Sequence, residues 1–197
     1  MKNETTAINF DQEADMLYPT LNKVEELLKE YQMVPVFYEV LADYMTPIRM
    51  FQALRKEGTP CFMLESVENK DQWGRYSFIG INPKSEIKIS GKELEVDGVK
   101  QEEEFKMSYL SDLIEKYKSP VMEDYPKLTG GLIGYFGYDM IRQVEKKLTN
   151  VPEDDLEMPE CHLCMYDEIS AFDHLANKAV IIQNIHKGDN IKQKYEE

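Results

Sequence analysis

The chain has 197 residues, 42% hydrophobic and 11% aromatic, enough to close one core and too much for general disorder. A formal net charge of −14 argues against a nucleic-acid partner, which needs a basic face, and predicts a self-repelling surface. No run approaches the roughly 18 apolar residues of a membrane helix, and the acidic, polar N-terminus does not read as a signal peptide.

Three cysteines, a small odd number, fit a reducing compartment, so a cytoplasmic protein without a membrane or nucleic-acid partner is expected. Residues 1–16 carry little hydrophobic pattern and are expected to be poorly ordered. Residues 17–197 then read as one domain. Thr20 caps a helix whose apolar positions Leu21, Val24, Leu27, Leu28 and Tyr31 recur at helical spacing. Val34 to Ala42 is a strand, with Pro35 near its start, where a missing N–H is tolerated. Thr46 and Pro47 open a second helix, expected to run to about Glu57 with Gly58 ending it. Pro60 to Val67 and Tyr76 to Ile81 are strands, and the alternation from Ser85 to Val99 predicts a hairpin or meander with turns near Ser90–Gly91 and Asp97–Gly98.

Ser108 opens a third helix, with Leu110, Leu113, Ile114 and Tyr117 on one face. TGGLIGYFGYDMIRQVE, residues 129–145, reads as an apolar strand whose four glycines mark close backbone approach or sharp turns. An acidic linker, Asn150 to Pro159, follows. Cys161 to Phe172 and Lys178 to Ile185 then form a hairpin around His174–Asn177. Asp189 or Asn190 caps a last helix that stops after one or two turns, too short to be stable alone, so the chain is expected to be the front part of a longer protein.

Few residues carry chemistry. Cys161 and Cys164 have zinc-like spacing, yet no second ligand pair exists, and an offset of three on a strand points them to opposite faces. The expected role is that of half-buried strand cysteines, and no metal site is assigned. The glycine cluster matches neither dinucleotide nor phosphate-loop spacing and reads as structural. The scattered histidines His162, His174 and His186 support no triad. Glu102–Glu104 and the carboxylates Glu153, Asp154, Asp155 and Glu157 read as solvated.

Glu65 and Ser66 differ in kind, because they end an apolar run and a cation, Arg75, precedes the next one. A carboxylate there needs a donor. Two readings stand open: a strand-end hydrogen bond to backbone, or recognition of a free amino acid. In the second, Glu65 takes the ammonium group, Ser66 donates or accepts, and Arg75 answers the carboxylate.

The stretch MLESVENKDQWGRYSFIG (63–80) resembles the LLES…GRYSFIG segment of anthranilate synthase component I, a chorismate-utilising family. VPVFYEVLADYMTPIRMF (34–51), GGLIGYFGYDMIRQVE (130–145) and DDLEMPE…YDEISAFDH (154–174) resemble the same family in the same order. Met63 departs from the usual leucine, a like-for-like apolar change.

The resemblance implies an α+β fold of largely antiparallel sheets packed with a few helices. For the full-length protein it implies conversion of chorismate and ammonia to anthranilate and pyruvate, with Mg2+. Its implied partners are a glutamine amidotransferase subunit (component II) and its own C-terminal catalytic domain. The catalytic and metal residues belong to that C-terminal part, so this chain is expected to hold none and to be inactive alone. Residues 17–197 are expected to form a regulatory, allosteric domain carrying half of a feedback-inhibition site for L-tryptophan. By position, the implied contacts are Leu64, Glu65, Ser66 and Arg75. An aminodeoxychorismate synthase component and a stand-alone amino-acid sensor are the competing readings.

Overall fold

The computed structural model describes residues 17–65, 74–145, 147–148 and 158–196. The N-terminal stretch 1–16, Ser66 and most of the acidic linker lie outside the described residues. Two antiparallel sheets carry the fold. The first has six strands in the spatial order β1 (Leu17–Tyr18), β2 (Met33–Leu41), β11 (Lys178–His186), β10 (Glu168–Asp173), β4 (Tyr76–Ile81) and β3 (Cys61–Leu64). The second has five, in the order β7 (Val99–Lys100), β6 (Glu93–Val96), β5 (Ser85–Ser90), β9 (Cys161–Tyr166) and β8 (Gly131–Phe136). Helices α1 (Leu21–Leu27), α2 (Pro47–Leu54), α3 (Ser108–Lys116) and α4 (Ile191–Glu196), with a 3-10 helix at Tyr138–Gln143, complete an α+β architecture. No helix among the described residues is long and apolar enough to cross a membrane.

Local chemistry explains most boundaries. The Thr46 hydroxyl accepts from the Arg49 N–H at 3.3 Å, and Pro47 sits in the first turn, so α2 starts where expected. It ends at Leu54, earlier than Glu57, because Arg55 is already extended. Thr20 precedes α1, although its side chain makes no cap bond. Asp97 and Gly98 both have positive φ, 52° and 78°, and join the partners Val96 and Val99 in a two-residue hairpin loop.

Packing divides into small cores. Ile87, Ile89, Leu94, Cys161 and Leu163 bury one face of the five-stranded sheet against Leu110 of α3 and Met140 of the 3-10 helix. Val24, Leu28, Val34, Val36 and Ile185 seat α1 on the six-stranded sheet. Ile114, expected on the packed face of α3, is instead 65% exposed. The buried stripe is centred on Tyr109, Leu110 and Leu113, which turns position 114 to solvent.

Three expectations give way. Cys161 to Phe172 is not one strand. It is β9 and β10, parted by Asp167 and belonging to different sheets. Residues 129–145 also break, because Gly137 donates to the Glu160 carbonyl at 2.7 Å and the chain then turns into the 3-10 helix. The strand expected from Pro60 starts at Cys61 and stops at Leu64, before Glu65. It is β3, at the sheet's edge, hydrogen-bonded on one side only and half-buried at best.

The crossing at Asp167 is held by Asn184, which is 1% exposed. Its backbone N–H donates to the Asp167 carbonyl at 3.0 Å. Its side-chain Nδ2 donates to the Asp167 carbonyl at 2.9 Å and to the Thr129 carbonyl at 2.7 Å. The Asp167 carboxylate takes Lys84 at 2.6 Å and His186 at 2.7 Å. Gly130 is needed beside this knot, since a Cβ there would lie 2.6 Å from Asn184 Nδ2 and 2.8 Å from the Tyr166 carbonyl, at a φ of +155°. At Gly134 an added Cβ would fall on the His162 carbonyl oxygen. At Gly130, Gly134 and Gly137 the glycines therefore mark close backbone approach, as expected of glycines within a strand pattern, whereas Gly131 has open space around it.

Asn184→Ala should lower stability by about 2 kcal/mol, because the Thr129 carbonyl loses its side-chain donor, the Asp167 carbonyl keeps only the backbone one, and a buried side chain is lost. Urea unfolding checks this, and an unchanged midpoint would remove Asn184 as the clasp of the crossing.

Candidate functional site

The site expected from the sequence lies at one end of the β3–β4 hairpin. β3 pairs with β4 from Cys61 opposite Ile81 to Leu64 opposite Phe78. Gly80 admits Phe62 across this pair, because a Cβ at 80 would meet the Phe62 ring. Leu64 closes β3 and is 45% exposed, and Glu65 follows it on the surface. Glu65 makes no hydrogen bond or ion pair with another described residue. Ser66 lies outside the described residues.

Arg75 immediately precedes β4, and its guanidinium is engaged. Nε donates to Asp173 Oδ1 and Oδ2 at 3.1 and 3.0 Å, and Nη2 donates to Oδ2 at 2.6 Å. Asp173 is the last residue of β10, directly opposite Tyr76, and is 4% exposed. Its Oδ1 also accepts the backbone N–H groups of Leu175 and Ala176 at 3.0 and 3.1 Å, closing the turn into β11. The Arg75 guanidinium carbon sits 4.9 Å over the Tyr76 ring. Beside them the His174 N–H donates to the Arg75 carbonyl at 2.9 Å, and its Nε2 pairs with the buried Ser77 Oγ at 2.7 Å.

The electrostatics follow from these contacts. Burial alone would raise the Asp173 carboxyl, but the Arg75 hydrogen bonds and the turn N–H groups overcome it and hold the group below its ordinary range. The hydrogen bonds that Arg75 donates to Asp173 raise Arg75 in return. Burial, then the Asp173 charge, pushes the Tyr76 phenol up. At Asp167 burial again opposes ionisation, and hydrogen bonds from His186 and Lys84 reverse it, so this carboxyl is also lowered.

The structure thus brings Leu64, Glu65 and Arg75 to one end of the hairpin, with Arg75 held by Asp173. Arg75 Nη1 makes no hydrogen bond to a described residue. Sequence reasoning missed Asp173, His174 and Ser77 as members of this end. The available signal was an aspartate ending an apolar run just before a turn, a position suited to capping the turn's N–H groups.

Residues 46–197 match the family model described as "chorismate binding enzyme". The chain is 42% identical over 190 residues to "Anthranilate synthase component 1" of Acetivibrio thermocellus, covering 91% of this chain and 37% of that protein. It is 33% identical over 201 residues to the chloroplastic "Anthranilate synthase alpha subunit 2" of Arabidopsis thaliana, covering 93% of this chain and 32% of that protein. The crystal structure of anthranilate synthase component I from Streptococcus pneumoniae TIGR4 superposes with a TM-score of 0.51 at 25% identity, over 80% of this chain and 34% of that one. The chain therefore spans about a third of the length of the relatives it matches.

Asp173 and Asp167 have lowered folded-state pKa values, so the stability they contribute is present above the unfolded carboxyl value near ~3.9 and is lost as pH falls through the folded values. Urea midpoints should hold near neutrality and drop as the pH falls below about 4. Asp173→Ala should cost about 2 kcal/mol at neutral pH, by stripping the acceptor from two turn N–H groups and Arg75. The variant should also show a shallower acid-side loss than the unmodified chain. Equal acid-side slopes would remove Asp173 as a contributor.

Proposed function

The chain belongs to the chorismate binding enzyme family, and we propose that it is the regulatory part of an anthranilate synthase component I. The whole protein would convert chorismate and ammonia to anthranilate and pyruvate, the ammonia coming from glutamine through a component II subunit. This portion would carry part of the L-tryptophan feedback site and no catalytic residue, and would be inactive alone. The observation that supports the reading is that Leu64 and Glu65, the described part of the family-like segment, stand at the surface end of β3. That segment sits within a chain 42% identical over 190 residues to a component 1.

Leu64 offers apolar surface, Glu65 a carboxylate for the inhibitor's ammonium group, and Ser66 a hydroxyl. Arg75, already on Asp173, contributes its Nη1 edge and the fixed position of the hairpin end. The inhibitor acts by population shift, because it moves catalysis only through unequal affinity for two states of the whole protein.

Mg2+ is assigned to no residue here. A hard cation of that size wants oxygen donors in octahedral array. Among the described residues, the grouping of metal-capable donors includes an imidazole and a thiol, which does not fit.

The test is inhibition of the full-length protein. Glu65→Ala and Ser66→Phe should each raise the L-tryptophan concentration for half-inhibition more than about tenfold, a loss of one charge-assisted contact or more. Unchanged inhibition in both variants would overturn the pocket. Formation of aminodeoxychorismate in place of anthranilate would overturn the activity.

A further inference from the structure

The face of the five-stranded sheet opposite its apolar core holds a cluster that the reaction above does not use. His162 and Cys164 are two apart on β9, so strand alternation puts them on one face. The register sets Glu86 of β5 opposite Cys164 and Lys88 opposite His162. His162 Nε2 lies 2.6 Å from Glu86 Oε1 and 3.9 Å from Cys164 Sγ, so a carboxylate and a thiol converge on one ring nitrogen. The donor atoms of all three residues lie within 4.8 Å of one another. Cys164 is 6% exposed, and the side chains of Glu86 and His162 are 29% and 28% exposed, which leaves the cluster set into the sheet with an open side.

We propose that Glu86, His162 and Cys164 form a binding site for a borderline divalent cation of the Zn2+ type. One thiolate, one imidazole and one carboxylate make a mixed S, N, O set that suits Zn2+ and not Mg2+ or Ca2+. In a tetrahedral site with Zn–N near ~2.0 Å and Zn–S near ~2.3 Å, neighbouring donors stand roughly 3.3–3.7 Å apart. The 2.6 Å and 3.9 Å separations bracket that value, so modest side-chain rotation brings the three onto one ion. The fourth position faces the open side and takes solvent or an added ligand.

The surroundings fit the assignment. Lys88 contacts the other carboxylate oxygen, Glu86 Oε2, at 3.2 Å and Glu95 at 3.8 Å, which leaves Oε1 on the His162 side for the ion. The Tyr135 ring meets the His162 ring edge-on at 6.0 Å and restrains its orientation. Burial, then the Glu86 charge, raises the Cys164 thiol, so the ion must displace a proton to bind. Cys161 faces the apolar core on the other side of β9 and takes no part. The cysteine spacing in CHLC is thus beside the point, and the useful pair is His162 with Cys164.

The test uses Co2+ as a probe for the Zn2+ position, on the purified chain. One equivalent should give thiolate-to-cobalt charge-transfer absorption, and added Zn2+ should bleach it. Cys164→Ser should lose the band, Cys61→Ser should keep it, and Glu86→Gln should weaken Co2+ binding more than about a hundredfold, exceeding the usual effect of a residue behind the ligands. Absence of the band in the unmodified chain, or its survival in Cys164→Ser, would overturn the site. Should Cys164→Ser fail to fold by circular dichroism, Glu86→Gln decides, and unchanged affinity in it overturns the site equally.

Discussion

The clasp of Asn184 on the backbone at Asp167 is what the rest of the molecule depends on. A chain that leaves one sheet and enters another within a single residue breaks its ladder of backbone hydrogen bonds, and each buried carbonyl left behind costs free energy. Asn184 meets that cost with its backbone N–H and its side-chain amide, reaching the carbonyls of Asp167 and Thr129. Lys84 pairs with the carboxylate alongside, and His186 hydrogen-bonds it. Charge, backbone pairing and the absence of a side chain at Gly130 all meet at one place.

From this clasp β10 runs to Asp173, so one strand joins the sheet crossing to the end where Glu65 and Arg75 stand. Asp173 anchors Arg75, closes the turn into β11 and lies opposite Tyr76. Leu64 and Glu65 therefore stand at the end of an edge strand, and Arg75, before the neighbouring strand, is held by a buried carboxylate on β10. An edge strand has one free backbone side and few packing constraints.

Much of the architecture was legible in the residues. Thr46–Pro47, Asp97–Gly98 and the alternation of β5 and β6 each have a local cause, and local causes leave local signals. The break at Asp167 left a weaker one, because CMYDEISAF is apolar on both sides and reads as one strand. Which sheet each half joins is decided by Asn184, seventeen residues away and silent in any local window. The same holds at the site. Glu65 and Arg75 stood out as charges beside apolar runs, whereas the Asp173 partner of Arg75 is 98 residues distant. The donor cluster of Glu86, His162 and Cys164 was hidden likewise, since it needs the register of β5 on β9. The visible cysteine spacing showed only that Cys161 and Cys164 point to opposite faces of the strand.

The continuity of β9 and β10 has a consequence for what changes in chain length the fold tolerates. Only Asp167 separates six residues committed to one sheet from six committed to the other. Side chains alternate with a period of two, so inserting or deleting one residue in either half inverts that half relative to the fixed point between them. In β9 such a change would turn His162 and Cys164 into the apolar core and Cys161 and Leu163 out of it. In β10 it would turn Asp173 away from Arg75. Loops such as the one at Gly58 can absorb extra residues, but the stretch from Cys161 to Asp173 is a ruler of fixed length that two sheets read at once.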